Sequence, residues 1–493
     1  PFLGGHYGDV LEKGELRLAF DAGAGSLSVN YYQHRFPVDP KGYGVVLGYE
    51  NGRLDTRQFD EEVTTELESI LGALHDLPSY WQAEPASRGR RIEVVPACKA
   101  RLAALCRREP LVKTYIDQCV AALNGTPGDA ASYDGLHRLL EMQPYRLSYW
   151  QVAGQEINYR RFFDINDLAG LRMENEEVFH ATHRLVLELL AGGRLDGLRI
   201  DHIDGLYDPL GYCRMLRGEA AAQAREERGD PARARFYLVV EKILAVHEYL
   251  PEEWPVDGTT GYEFASLLNG LFVYSGAERY LNRVYQRFTG LQVDFESLVY
   301  DCKKVIMSTT LSSELNVLGN LLNRISEADR HARDFTVNGM RDALLEIAAC
   351  FPVYRTYVTD EAVSAEDRRY VSWAVAQAKK RTPATDIAVF DFAQQVLLLD
   401  WPSRDHPLRP MAVNFAMKFQ QYTAPVMAKS LEDTAFYIYN RLVSLNEVGG
   451  DPRRFGVSPA AFHYMNQERL RRWPDAMLAT STHDNKRSED VRA

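Results

Sequence analysis

Two short apolar stretches that each run into a carboxylate constrain this chain most. Leu195 to Ile203 carries Asp201 near its end, and Phe236 to Val240 leads directly into Glu241. Helical patterns precede both. Glu176 to Ala191 has Val178, Leu185 and Leu189 among its apolar positions, and Pro209 to Arg228 follows the first stretch. Gly229-Asp230-Pro231 supplies a turn before the second. Both strands are short and mostly apolar, so helix–strand alternation predicts a parallel sheet covered by helices. A third short strand is expected at Met477 to Thr482, just before His483-Asp484-Asn485.

The rest of the chain is mostly helical. An antiparallel hairpin is expected near the start, with Leu16 to Phe20 and Leu27 to Tyr32 flanking the turn residues Asp21 to Gly25. Residues 60–142 read as helices broken at Leu77-Pro78, at a Pro85–Ser87 bend and at Asn124 to Asp129. Residues 144–170 read as a long ordered loop. A helical region spans 265–430, where Leu311, Leu315, Leu318, Leu322 and Ile325 keep the 3.6-residue period. Ser364 with Asp367 forms a capping-box pattern, and Ile387 to Leu399 suits helix or strand. Ser458 followed by Pro459 opens a helix that runs to Arg472. The chain starts at Pro1 and stops at Ala493 after a charged run that reads as the start of a helix. Both ends therefore read as cut, and a fragment is expected.

Charge excludes one broad class. Lys and Arg number 57 against 68 Asp and Glu, a net charge of -11. A phosphate-backbone binder needs a basic tract, and the runs Arg88 to Arg91 and Arg469 to Arg472 are short enough for solvated surface. No nucleic-acid partner is expected. The six cysteines form no CxxC pair, so zinc and redox motifs lack support and a reducing, cytoplasmic setting fits. No window approaches 18 uninterrupted apolar residues and no signal-peptide pattern stands at the start, so no membrane association is expected. No phosphate-binding glycine motif occurs.

Asp201, Glu241 and Asp484 each stand near the end of an expected strand. That edge of a parallel sheet or barrel is where ligands bind. Two carboxylates and a third acid on one rim suit glycosyl transfer, one attacking the anomeric carbon and one protonating the leaving oxygen. Arg199 lies two residues before Asp201, on the same strand face, where it can aim and hold the carboxylate. Taken singly, such acids are as often helix caps or surface ion pairs.

The motifs carry a resemblance. LDGLRIDHIDGL at 195–206 resembles the fourth-strand motif of the α-amylase superfamily of glycoside hydrolases, YLVVEK at 237–242 the fifth-strand motif, and TSTHDN at 480–485 the seventh-strand motif. The resemblance implies Asp201 as nucleophile beside Arg199, Glu241 as acid/base, His483 as a sugar contact and Asp484 as transition-state stabiliser. Longer stretches narrow it. INYRRFFDINDLAGLR at 157–172, GLRIDHIDGL at 197–206, QYTAPVMAKSLEDTAFY at 421–437 and STHDNKRSEDVRA at 481–493 are similar to the maltooligosyl trehalose synthase family. FLGGHYGDVLEKGELRL near the start is similar to that family's insertion after barrel strand three.

The fold so implied is an incomplete α-amylase-type (β/α)8 TIM barrel with large, mostly helical insertions. Residues 1–160 would be the insertion after strand three, hairpin plus helices. Residues 161–264 would carry strands four and five, 265–430 a helical insertion, and 431–493 strand seven. The implied substrate contacts are Arg199, His202, Asp204, His483, Phe162, Phe163, Asp164, Lys429, Glu432, Asp433, Lys486 and Arg487, with no metal and no cofactor. The implied reaction moves the reducing-end glucose of a maltooligosaccharide from an α-1,4 to an α,α-1,1 linkage, and a separate maltooligosyl trehalose trehalohydrolase takes the product. An α-glucan hydrolase or 4-α-glucanotransferase would use the same carboxylates. A non-catalytic sugar-binding protein on a decayed barrel is the third reading, and the intact acids argue against it.

Two departures from the amylase pattern matter. Where amylases often place Lys-His after the nucleophile, this chain has Asp204 and Gly205. This leaves room and an acceptor group on the acceptor side. The third-strand Asp-x-x-x-Asn-His motif is absent from residues 1–493. Strands one to three therefore read as missing.

Overall fold

The computed structural model describes residues 2–54, 58–79, 85–228, 235–290, 292, 294–383 and 386–489. The chain divides into two units, Pro1–Ala153 and Gly154–Ala493. The first is built on an antiparallel sheet of β1 (Leu16–Asp21), β2 (Ser26–Tyr31) and β3 (His34–Pro37). Its first turn forms because the Asp21 side chain accepts the Ala24 amide and Gly25 takes a positive φ of 59°. The helices Glu61–His75, Pro85–Arg108, Pro110–Leu123 and Asp134–Glu141 complete the unit. Pro85–Ser87, expected as a bend, is instead the start of a helix, where a proline lacks nothing the first turn needs.

The second unit opens with a hairpin of β4 (Arg161–Phe162) and β5 (Ile165–Ala169), inside the stretch expected to be loop. Its central sheet is parallel: β6 (Gly197–Ile200), β7 (Tyr237–Val240) and β8 (Gly258–Thr259). Ile200 pairs with Val240 and Val240 with Thr259. The helices Glu176–Ala191 and Pro209–Arg228 stand where periodicity placed them. Asn175 caps the first by accepting the Glu177 and Val178 amides. Their apolar faces, with Phe179, Leu187 and Leu216 fully buried, close over Leu238 and Val240 of the sheet. The turn expected at Gly229-Asp230-Pro231 and the helix expected at the end of the chain lie in part or whole outside the described residues.

Most of the remainder is helical. Leu315, Leu318, Leu322 and Ile325 of the Ser312–Glu327 helix are at most 2% exposed and centre the largest core. Leu311 precedes that helix and is itself buried, the Ser364–Asp367 capping box forms, and Ile387–Leu397 is helix. Ser458 caps Pro459–Arg472 through the Ala461 amide. Among the described residues the parallel sheet has three strands and closes no barrel. No helix of these residues is long and apolar enough to cross a membrane.

The strand expected at Met477 to Thr482 does not form. Met477 donates one backbone bond to Thr259, 3.1 Å, and pairing stops there. The Thr482 amide and hydroxyl both bond the Asn485 side chain, a local turn that competes with a ladder. This segment presses on the sheet end at Gly261, φ +91°, where a Cβ would meet the Met477 carbonyl oxygen at 2.3 Å. Gly261→Ala is expected to lower unfolding free energy by more than about 1 kcal/mol. Gly218→Ala, in a helix with nothing near its Cβ position, should be neutral or stabilising by about 0.5–1 kcal/mol. Equal urea midpoints for the two variants would contradict this.

Candidate active site

β6 and β7 deliver the first two acids. Their registered ends put Asp201 and Glu241 next to each other at one sheet edge, and the Glu241 amide extends the ladder to the Ile200 carbonyl at 2.8 Å. Arg199 and Asp201, two residues apart, pair through Nη1 and Oδ1, and Arg199 Nη2 lies 3.8 Å from Asp484 Oδ2. One guanidinium therefore joins the first acid to the third. Tyr262 donates to the same Asp484 oxygen at 2.5 Å. The turn that follows Asp484 is held by Glu447, a buried carboxylate that accepts from the Arg487 amide and the Asn485 side chain.

The two strand-end acids differ in surroundings. The Asp201 side chain is 59% exposed beside Arg199. Glu241 is pushed up to about 7, mainly by burial and then by the charges of Asp204 and Asp201. The His202 amide, donating to Glu241 Oε2 at 3.0 Å, and Arg199 oppose the shift. His202 reaches that position in the left-handed conformation, φ 46°. Its ring lies 4.3 Å from Phe163 and 5.4 Å from Phe162, and burial pushes its pKa down to about 4, so it is neutral at pH 7.

Behind Glu241, Lys242 is fully buried, 2.7 Å from Glu248 and 3.3 Å from Asp204. The other Asp204 oxygen accepts the Tyr357 hydroxyl. Both oxygens of Asp204 are thus engaged within the protein. The room expected at Gly205 is filled as well, since a Cβ there would meet His202 Cδ2 at 2.3 Å.

The opposite wall is a π-helix, Ala428–Ala435. Pro425, which has no N–H, lies one turn before it. The wider turn presents Lys429, Glu432 and Asp433 to one pocket. Lys429 lies 3.2 Å from Asp164 and 3.1 Å from Asp433, and Lys486 lies 2.8 Å from Asp433. Burial works against these charges but pairing outweighs it: both lysines titrate above their ordinary value and Asp433 below its own. Among the described residues Glu432 has no cation within 4.0 Å, and the charge of Lys486 reaches it only at longer range. Glu432 accepts the Tyr354 hydroxyl at 2.5 Å, and burial pushes it up to about 7. Arg161 anchors the hairpin that carries Phe162, Phe163 and Asp164, reaching Glu314 at 2.8 Å and the Thr310 carbonyl at 2.7 Å.

These groups enclose a pocket of about 330 Å³. Asp201, Glu241 and Asp484 line it, as do His202, Asp204, His483, Phe162 and Phe163. Lys429, Glu432, Asp433 and Lys486 line it as well. Arg199 and Asp164 stand behind the wall through their ion pairs. Arg487 is not brought to the pocket: its guanidinium packs over the Tyr437 ring at 5.4 Å. Sequence reasoning missed Tyr262, Tyr354 and Tyr357. Each sits far from any motif, and only the fold brings its hydroxyl to an acid.

No protein-family model matches the chain. Individual proteins do. A Mycobacterium tuberculosis protein carrying the name maltooligosyl trehalose synthase is 37% identical over 353 residues, 72% of this chain and 41% of the relative. The solved maltooligosyltrehalose synthase of Arthrobacter ramosus superposes with a TM-score of 0.64 at 28% identity, covering 96% of this chain and 45% of that one. A solved glycosyltrehalose synthase, DSM5389, gives 0.61 at 27% identity, covering 100% and 47%. In sequence and fold the chain is thus a relative of the maltooligosyl trehalose synthases, as its motifs implied, and it spans under half the length of these proteins.

The raised Glu241 has a thermodynamic consequence. Its folded pKa of about 7 lies above the ordinary 4.5, so the folded state holds the extra proton across that window. Stability therefore falls as pH rises from 4.5 towards 7 and is level outside it. Glu241→Gln removes this term, while Glu432 contributes to both proteins alike. The variant should gain on the order of 1–2 kcal/mol over wild type between pH 4.5 and 7.5 in urea unfolding. Parallel stability curves would show that Glu241 is not buried as described.

Proposed function

We propose that this chain is the catalytic part of a maltooligosyl trehalose synthase, a (1→4)-α-glucan 1-α-glucosylmutase. The carrying observation is the convergence of Asp201, Glu241 and Asp484 on one pocket at a parallel sheet edge, with exposed Asp201 and proton-retaining Glu241 on adjacent strands. Adjacent strands lie about 4.8 Å apart. That suits the roughly 5–5.5 Å between nucleophile and acid in a retaining double displacement. On this reading the parallel sheet belongs to an α-amylase-type barrel whose strands four and five are β6 and β7. Residues 1–160 and 265–430 are insertions in it, and 431–493 carries the position of strand seven.

In the first step Asp201 attacks the anomeric carbon of the penultimate glucose, and Glu241 gives its proton to the leaving oxygen. Arg199 and Asp484 balance the charge that moves between carboxylate and sugar. The freed glucose stays in the pocket and turns. Glu241, now a base, takes the proton of its anomeric hydroxyl, which attacks the glycosyl ester on Asp201. Two inversions give retention. A mutase must hold the glucose and exclude water, since a held nucleophile outcompetes bulk water by its effective concentration. The Lys429–Asp433–Lys486 chain, Glu432, His483 and the Phe162–Phe163 pair supply the holding wall. Asp204 works from behind, through Lys242. The chemistry calls for no redox or nucleotide cofactor, and a reducing, cytoplasmic setting with a downstream trehalohydrolase fits it.

Given maltopentaose, the complete enzyme should lower total reducing power while releasing little glucose, the main product keeping the pentasaccharide mass and resisting borohydride. Glucose, maltose or longer reducing glucans as main products would favour the hydrolase or 4-α-glucanotransferase instead. Asp201→Asn should abolish both transfer and hydrolysis.

Glu241 acting as acid with a pKa near 7 predicts that kcat/KM on maltopentaose falls as pH rises through about 7. Glu241→Gln should lose that activity and keep part of its turnover of a glycosyl fluoride, whose leaving group needs no proton. Equal loss on both substrates would move the acid role to another residue.

A further inference from the structure

A second and larger cavity, about 500 Å³, shares the Ile243 and Tyr354 wall with the candidate active site. Its chemistry is different. The Ala365–Arg381 helix faces it with Arg369, Trp373, Gln377 and Arg381, four-residue steps that fall on one helix face. The Phe295–Ser308 helix answers with Glu296, Tyr300 and Lys303. His247, Asp451 and Arg453 add to the polar lining.

The charges are not matched. Arg453 is bound to Asp451, with Nη2–Oδ2 at 2.8 Å, and reaches Glu296 at 3.8 Å. Arg381 lies 4.0 Å from Glu296 and stacks over Tyr300 at 4.3 Å. Arg369 packs over Tyr370 at 5.1 Å and donates to its hydroxyl at 3.3 Å. Lys303 is the outlier. It is 3% exposed, its ammonium donates to the Phe351 carbonyl at 2.8 Å, and among the described residues no carboxylate lies within 4.0 Å of it. Burial pushes its pKa down to about 7. A buried ammonium with one neutral acceptor is poorly compensated, and an anion beside it would restore the balance.

The remaining wall suits a sugar. Trp373 is 44% exposed and offers an aromatic face to a pyranose ring. Gln377, Glu296 and Asp451 give an amide and two carboxylates for hydroxyl groups. Paired carboxylates on the wall disfavour a polyanion.

We propose that this cavity binds a phosphorylated monosaccharide, its phosphate between Lys303 and Arg381 and its ring against Trp373. Tyr354 couples it to the catalytic pocket, because its ring lines the cavity while its hydroxyl holds Glu432. Occupancy would thus report sugar-phosphate supply to the site that handles the glucan. The proposal does not depend on which reaction that site performs.

Isothermal titration of the purified protein with glucose 6-phosphate tests it, since binding is read without turnover. We expect saturable binding, weakened about tenfold or more in Arg381→Ala and in Lys303→Met, each loss corresponding to one charge-assisted contact. Lys303→Met is nearly isosteric and suits a buried site, and its melting temperature checks folding. Glu241→Gln should bind as wild type. Glucose and inorganic phosphate should each bind more weakly, and excess maltopentaose should not displace the probe. No binding, binding unchanged in both cavity variants, or displacement by maltopentaose would overturn the proposal. The last would make the cavity a continuation of the glucan cleft.

Discussion

The buried ammonium of Lys242 is the contact on which the rest of the site depends. It follows Glu241 directly, so whatever holds it also fixes the end of β7. Glu248 holds it from the loop after the strand and Asp204 from the turn after β6. Tyr357 then bonds Asp204, and fully buried Arg355 donates to the Asp204 and Leu206 carbonyls at 2.8 and 2.6 Å. Three segments far apart in the chain are thereby locked around one charge. Breaking such a buried arrangement by removing one partner costs about 3–5 kcal/mol, because the remaining charges stay dry and unpaired. That cost keeps the loops behind the two strand-end carboxylates in one geometry.

The same network divides labour between chemically similar acids. Burial disfavours the negative form of Glu241, and Asp204 stays close enough to add repulsion, so Glu241 keeps its proton to about pH 7. Asp201, one strand away, faces solvent beside Arg199. Across the pocket the contrast recurs. Asp433 sits between two lysines and titrates below its ordinary value, whereas its neighbour Glu432, bonded to the Tyr354 hydroxyl, is pushed up to about 7, chiefly by burial. Environment, not residue type, separates a proton donor from a fixed charge.

Much of the local structure was legible in the chain. The helices at Glu176–Ala191, Pro209–Arg228 and Pro459–Arg472 appear where periodicity and caps placed them, because amphipathic faces and cap hydrogen bonds are local properties. The strand ends at Asp201 and Glu241 were readable for a similar reason: a short apolar run followed by an acid marks both burial and exit from it. Legibility failed where a competing partner was out of view. Met477 to Thr482 has the composition of a strand, yet the Asn485 side chain takes the Thr482 backbone first. Asp204 and Gly205 read as leaving room and an acceptor group on the acceptor side, yet the His202 ring packs against Gly205 and both Asp204 oxygens are taken by Lys242 and Tyr357.

The chain by itself determined which acids stand at the sheet edge, in what order, and with Arg199 on the face of Asp201. Pattern, spacing and alternation need no tertiary partner. Only the tertiary structure decided what those acids can do. The proton affinity of Glu241 depends on burial and on Asp204 and Asp201, which the pairing of β6 with β7 brings beside it, and Asp484 meets Arg199 and Tyr262 only across long stretches of chain. Electrostatics acts through space, and the distances that set it exist only once the chain has folded.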